Sequence, residues 1–212
     1  MPRRQNITKG MVLDAAFSVV RESGMSELTA RKIASKLQCS TIPIYSQFRS
    51  MGKLEEEVLL AASSLLMEYT RKGYTPHPFL NMGIGMILFS RDNPNLFKAL
   101  FSGNARAHEI VEDIRSSFKD ELSKVEDFSK LPPEHLEEMM GMMLTFTIGL
   151  ANMASSGLLT PPTEEHVIHM LDESGDAVIN HTIRKALDMD STAGAVWNEY
   201  RMLSEFKEKG NR

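Results

Sequence analysis

Apolar residues along this chain recur at three- and four-residue spacing and nowhere alternate strictly, so the pattern predicts helices and no strands. Thr8 is placed to cap a first helix running to about Glu22, with Val12, Ala15, Ala16, Val19 and Val20 as its stripe and Gly24 as its stop. From Thr29 to Phe48 two short helical runs follow, separated by a tight break at Gln38 to Ser40. Ala30, Ile33, Ala34 and Leu37 form the inner face of the first run, capped by Thr29. Ser40 is placed to cap the second, whose Pro43 falls at the third position, where no intrahelical acceptor is lost. Ile44 and Phe48 point the second run back to the core. A fourth helix, capped by Ser50 and running to about Arg71, carries Leu54, Val58, Ala61, Ala62, Leu65 and Leu66 inward.

The rest of the chain repeats the theme. Gly73, Pro76 and Pro78 break the pattern before a run over about Phe79 to Arg91, and Asn93-Pro94 breaks it again before Leu96, Phe97, Leu100 and Phe101. A charged amphipathic helix spans about Ala105 to Phe128, with Ile110, Ile114, Phe118, Leu122 and Val125 as its stripe. Leu131-Pro132-Pro133 opens the next. Another runs from Pro162 or Thr163 to about Met189, with Gly175 as a candidate bend, and Ala193 to Lys209 reads as a terminal helix. No internal repeat interrupts this all-α reading.

Met139 to Thr163 contains no charged residue. A run of that length is tested as a membrane span, and Thr145, Thr147, Asn152, Ser155, Ser156, Gly157 and Pro161 argue against one. A helix uncharged on every face is normally buried all round. A second copy of the chain would complete its cover, with Gly141, Gly149, Ala151 and Ala154 allowing close approach. The expectation is a homodimer held by a four-helix bundle, two helices from each subunit.

The formal charge of −4 conceals an asymmetry. Residues 1–50 carry eight Lys/Arg against three Asp/Glu, a net of +5, which leaves −9 for the remainder. A basic head on an acidic body directs only the head to a polyanion. The helix pair lies in that head. Arg31 and Lys32 lie off the apolar face of its first helix; Thr41, Tyr45, Ser46 and Gln47 form the polar face of its second, able to bond phosphates or base edges. With Ser40 and Arg49 these are candidate DNA contacts. Arg3 and Arg4 form an N-terminal arm that either orders against phosphates or a minor groove or stays a disordered tail.

The single cysteine, Cys39, excludes an internal disulfide, fits a reducing compartment, and reads as a small apolar filler in the interhelical turn. No long apolar run follows the N-terminus, so no signal peptide is visible, and a cytoplasmic location is expected. His166 and His169 share a helix face with Glu165, Asp172 and Glu173 nearby; an exposed polar face is the preferred reading over a metal site. No phosphate-binding loop, His-Glu-x-x-His or Gly-x-Ser-x-Gly motif is present. Gly83-Ile84-Gly85 has no preceding strand and is too short for a dinucleotide loop. No catalytic residue, cofactor or metal is assigned. Fifteen methionines are many for 212 residues. Soft side chains suit an adaptable apolar pocket, and Met82, Met86, Phe89, Phe101, Met143 and Phe146 are its candidate walls, simple core packing being the alternative.

Residues 8–54 resemble the DNA-binding domain of TetR/AcrR-type transcriptional regulators. The likeness rests on Thr8, Leu13, Ala15-Ala16, Gly24, Leu28-Thr29, Ile33-Ala34, Ser40, Ile44-Tyr45, Phe48, Ser50 and Leu54 in one gapless register, and beyond them on Asn93-Pro94-Asn95-Leu96-Phe97. The resemblance implies an all-α homodimer with an N-terminal three-helix helix-turn-helix domain (residues 1–52) and a larger helical ligand-binding and dimerisation domain (residues 53–212). It further implies that Thr29 and Tyr45 grip phosphates of a double-stranded operator and that Thr41, Ile42 and Pro43 face bases. Three positions depart from the family pattern: Gln38 stands where glycine is usual, Gln47 where histidine is frequent, and Met51 where a lysine usually meets the DNA backbone. The implied function is a non-enzymatic, ligand-responsive DNA-binding regulator, a repressor released by a small, largely apolar effector. A helical protein-interaction adaptor without specific DNA binding is the alternative that Gln38 and Met51 motivate.

Overall fold

The structure, a computed structural model, describes residues 6–101, 103, 105–124, 128, 131–160 and 162–189. The expected arm at Arg3 and Arg4 and the expected terminal helix over 193–209 lie outside the described residues, as do Val125 and Pro161. Nine α-helices and one 3-10 turn make up the ordered elements among the described residues, and no strand is present there.

The head begins with α1, Lys9–Ser23, where the Thr8 hydroxyl accepts a hydrogen bond from the Met11 amide at 3.2 Å. Its stop is Gly24, whose φ of 91° lies in the region that side-chain-bearing residues avoid. A 3-10 turn, Met25–Glu27, leads to α2, Ala30–Lys36, capped by Thr29 through the Lys32 amide at 3.2 Å. Helix α3, Ile42–Gln47, follows. Its cap corrects the sequence-based expectation. Thr41, not Ser40, precedes the first helical residue, already in helical conformation and without a side-chain capping bond. Pro43 is therefore the second helical residue, still within the turn that has no N–H bonds to lose.

The α2–α3 turn closes by backbone bonds. The Gln38 amide donates to Ser35 O at 3.2 Å and the Cys39 amide to Ala34 O at 2.9 Å, the paired bonds of a Schellman ending. That ending places Gln38 in the left-handed region at φ 52°. Cys39 packs, half-buried, against the core, as the residue after such a turn commonly does.

The body is built from α4 (Met51–Arg71), α5 (Pro78–Asp92), α6 (Pro94–Leu100), α7 (Ala105–Ser123), α8 (Pro133–Ser156) and α9 (Glu164–Met189). Ser50 caps α4 through the Lys53 amide at 3.2 Å. Within α4, Leu54, Val58, Leu59, Ala62, Leu66 and Thr70 are buried, so the inward stripe includes Leu59 while Ala61 and Leu65 lie half-buried at its margin. Helix α7 is shorter than the pattern predicts, ending at Ser123. Helix α9 runs through Gly175 unbroken. The uncharged run is a helix only to Ser156, where Gly157 turns the chain at φ 75°, and no helix among the described residues is long and apolar enough to cross a membrane.

Helix α5 is central: it packs on α4, α8 and α9, and nine of its fifteen residues are buried. Gly85 makes the α4 crossing close. A β-carbon there would sit 2.3 Å from Tyr69 O and 2.7 Å from Thr70 Cα, inside the backbone of α4. The Gly83-Ile84-Gly85 segment is thus a packing device. One continuous core runs from Ile7 and Val12 in the head through Leu54 and Leu66 to Phe89, Phe97 and Leu171 in the body. Fully buried side chains such as Phe89 and Phe97 each contribute about 1.5–3 kcal/mol by leaving water. Helix α6 rests on α1, where Asn95 Nδ2 donates to Arg21 O at 3.1 Å. A second, smaller cluster of Leu122, Phe128, Leu131, Met139, Met140, Ile179 and Ile183 closes the far end of the body.

Candidate nucleic-acid interface and apolar cavity

Helix α3 is held by its inner face and offers its outer one. Ile44 and Phe48 are buried in the core where α3 packs on α1 and α2, so the helix is fixed in orientation. On the other side Ile42 is 75% exposed and Tyr45 53% exposed, large apolar surface that a lone folded chain has no reason to display. Thr41 and Ser46 are exposed beside them and Pro43 is half-buried. The Ser46 hydroxyl donates to Pro43 O at 2.8 Å, which leaves its oxygen as an acceptor. Thr29, Arg31, Lys32, Ser40 and Arg49 are likewise exposed.

Two expected contacts are placed differently from a free polar face. Gln47 Nε2 donates to Ile7 O at 3.0 Å, tying the end of α3 to the residue ahead of α1. Met51, the first residue of α4, packs half-buried against the core, a use of the side chain that a lysine could serve only with its aliphatic stem. The head's charge is also partly spent inside the head. Lys32 pairs with Glu27, Lys36 with Glu22 at 2.7 Å, and Lys9 with Glu57 at 2.7 Å while lying 5.3 Å over the Phe48 ring. The Lys36 hydrogen bond, helped by Ser18, holds the Glu22 carboxyl below the usual carboxylate range. Arg31 and Arg49 make no ion pair among the described residues, so they carry the outward positive charge of this face.

In the body an apolar cavity of about 260 Å³ lies between α5, α7, α8 and α9. Of the six wall residues expected from sequence, Met82, Met143 and Phe146 line it. Met86 and Phe89, one and two turns further along the same face of α5, are instead fully buried in the main core, Phe89 edge-on to Tyr69 at 5.6 Å. Phe101 stacks on Phe97 at 4.6 Å, away from the cavity. The wall also takes in Phe79, Phe118, Phe128, Leu171, Asp172 and Asp176, none of which sequence reasoning placed there. A signal existed for Phe79, one helical turn before Met82 on the same face of α5. Another lay in α9, where Asp172, Ser174, Gly175 and Asp176 interrupt an otherwise apolar stripe.

His166 and His169 are exposed, His169 Nδ1 lying 3.6 Å from Glu173, and no group of three His, Cys, Asp or Glu among the described residues is arranged to hold a metal ion.

Helix α8 turns a further surface outward. Thr145, Phe146, Gly149, Asn152, Met153 and Ser156 lie on one exposed, uncharged face, with Phe146 41% and Met153 40% exposed. A β-carbon on Gly141 or Gly149 would meet nothing within 4 Å. Ala151, expected on this face, is instead fully buried within the subunit.

No family model matches the sequence, and no curated protein matches it. Solved structures do. A tetR-family transcriptional regulator from Streptomyces coelicolor superposes with a TM-score of 0.74 over 100% of both chains at 15% identity. A transcriptional regulator from Rhodococcus sp. Rha1 gives 0.65 over 82% of this chain and 97% of its own at 17% identity. A TetR-family protein from Vibrio parahaemolyticus gives 0.57 over 80% and 97% at 18% identity. Helix order, the short α2–α3 pair on an otherwise larger helical body, and full-length superposition agree: this chain has the fold of the TetR-family transcriptional regulators.

Proposed function

We propose that the protein is a homodimeric transcriptional regulator that binds operator DNA through α3 and releases it when a small, largely apolar molecule fills the body cavity, which makes it a repressor of the cytoplasm. The observation that carries this reading is the outer face of α3. Ile42 and Tyr45 are exposed on a helix whose other face is locked into the core, in the only basic part of an acidic chain. Ile42 and Pro43 suit thymine methyl groups; Thr29, Arg31, Lys32, Ser40, Tyr45 and Arg49 suit phosphates. Two such heads, about one helical turn of DNA apart, fit a near-palindromic site. The uncharged outer face of α8 supports the dimer, because Gly141 and Gly149 leave room for another backbone there. The cavity acts on the heads only through a difference in its affinity for two body conformations.

The adaptor reading keeps a specific observation on its side, since Gln47 and Met51 are engaged within the fold. Tyr45→Ala and Arg31→Ala separate the two. A regulator loses binding to its own upstream DNA while staying folded and dimeric, and the residual affinity of the unsubstituted protein falls steeply with salt as condensed counterions are released. Binding partners that tolerate both substitutions, with no salt-dependent DNA binding, would establish the adaptor instead. Replacing operator thymines by uracil tests the Ile42–Pro43 assignment separately: undiminished affinity refutes it.

A further inference from the structure

Threonines inside helices commonly donate their hydroxyl to the backbone one turn earlier, as Thr145 does to Gly141 O at 2.8 Å and Thr182 to Val178 O at 3.0 Å. Thr147 does not. It is 6% exposed on α8, and its hydroxyl makes no hydrogen bond among the described residues. Buried polar groups almost always find a partner. The side-chain atoms sealed from solvent without one are Asn93 Oδ1 and His135 Nδ1, not Thr147 Oγ1, so that hydroxyl opens onto the cavity it lines. The other polar side chains of the wall are engaged or outside: Ser174 donates to Met170 O at 2.8 Å, Asp172 and Asp176 interact within the protein, and His77 is exposed.

The cavity has two unlike ends. At one, a β-carbon on Gly83 would stand 3.6 Å from Thr147 Oγ1 and 3.1 Å from Leu171 Cδ1, so these three meet there. A turn along α8 and α9, a β-carbon on Gly175 would stand 4.0 Å from the Met143 methyl. At the far end Met140 and Ile179 join Phe128, whose ring meets that of Phe79 edge to face at 6.2 Å. Thr147 and Met140 are about 10 Å apart along the helix axis.

We propose that the cavity takes an elongated molecule with an aromatic ring at one end and a single hydroxyl or carbonyl oxygen at the other, the ring beside Phe79 and Phe128 and the oxygen hydrogen-bonded to Thr147. A threonine hydroxyl both donates and accepts, so either oxygen serves. This rests on the reading of the cavity as the effector site and adds to it the ligand's polar group and its orientation.

The test uses 4-phenylbutan-1-ol and pentylbenzene, which share one outline and differ only in a terminal hydroxyl or methyl. Methyl-labelled methionine NMR reads both at the site itself, through Met82, Met140 and Met143 on the wall. The alcohol gives up hydration that the hydrocarbon never had. The informative quantity is therefore each probe's change on Thr147→Val, which keeps the side chain's outline and removes its hydroxyl. The expected result is alcohol binding weakened about three- to tenfold, with pentylbenzene held within about twofold. Thr147→Ser keeps the hydroxyl and should keep the alcohol's affinity relative to the hydrocarbon's. Without ligand, Thr147→Val should not lower the melting midpoint, because no bond within the protein is lost; a drop would make the hydroxyl a structural group and overturn the proposal. Ring current from the bound alcohol should shift Met140 more than Met82, and the reverse overturns the orientation. Equal changes for both probes on Thr147→Val, or no change for the alcohol, overturn the oxygen site and leave the effector reading standing. Methionine signals that respond to neither probe in the unsubstituted protein overturn the effector reading itself.

Discussion

Gln38 stands in the left-handed region at φ 52°, where a β-carbon crowds the following carbonyl. The conformation is imposed from both sides. The Gln38 and Cys39 amides must reach Ser35 and Ala34 to close α2, and α3 begins only four residues later. For a residue with a side chain the left-handed conformation costs about 1–2 kcal/mol. Glycine removes that cost and adds the greater backbone freedom of its unfolded chain, which costs about 0.4–1 kcal/mol. The difference leaves Gln38→Gly more stable by about 0.5–1 kcal/mol. No hydrogen bond is lost, because the Gln38 side chain is exposed and makes none among the described residues. Head and body share one core, so a global melt reports the gain. For a chain of this size the melting midpoint should rise by about 1–4 °C. Gln38→Ala is the control, since it shortens the side chain but keeps the β-carbon. It should stay within about 0.5 kcal/mol of the original protein. Equal stabilisation by Ala and Gly would refute the argument, because it would trace the effect to the side chain and not to the backbone. A Gly variant less stable than the original would refute it more directly, by showing that the left-handed turn carries no cost here.

Three further outcomes follow from the packing and the charges. Gly85→Ala drives a methyl into the α4 backbone and should destabilise by about 3 kcal/mol or more, whereas Gly83→Ala crowds the Leu171 side-chain tip at 3.1 Å, with Thr147 at ordinary contact distance, and should cost about 1 kcal/mol or less; denaturant midpoints for the two variants check the ranking. Burial first, and then the Glu164 charge, push the Tyr74 hydroxyl up to about 12. The stability from keeping that phenol neutral is complete below its ordinary value of about 10 and is lost as pH rises from there towards 12, so Tyr74→Phe should flatten the alkaline arm of a melting-temperature profile and leave the arm below pH 9 unchanged. Met153→Asp places a charge on the exposed face of α8 without touching the subunit core, and on the proposed assembly light scattering should report dimer for the original chain and monomer for the variant; a dimer that survives the substitution puts the interface elsewhere.

Much of the head was legible because its signals are local. A threonine before an apolar stripe, a glycine after it and a proline early in a helix each act through their own turn, and Thr8, Gly24, Thr29 and Ser50 stand where that logic puts them. The Ser40 cap failed for a local reason too. The Schellman bonds at Gln38 and Cys39 use up the chain between α2 and α3, so the second helix starts one residue later and Thr41 enters it already helical. The body cavity was legible only in part, since periodicity says that a residue faces inward and not which interior it meets. Met82 and Met86 lie four apart on one face of α5, yet Met82 lines the cavity while Met86 is buried in the core one turn beyond it. Nothing in their spacing distinguishes these fates; what does is where the neighbours lie along α5, with the cavity at its N-terminal end and α4 packed across its other side.

That geometry gives α5 a double role and explains why its two glycines differ. On the cavity side the tightest neighbour of Gly83 is the end of a flexible leucine, so the wall there can give by a few tenths of an ångström. On the other side Gly85 lies against the α4 backbone with no space to give. A body that adjusts to a ligand at Met82 and Gly83 must therefore move α5 and the adjoining part of α4 together, or else leave both where they are. Helix α4 begins at Met51, three residues beyond Phe48, and its Leu54 and Val58 share the core that orients α3. Close-packed cores pass such displacements on because they compress little. The Gly85 crossing is thus where the acidic body and the basic head are mechanically one object.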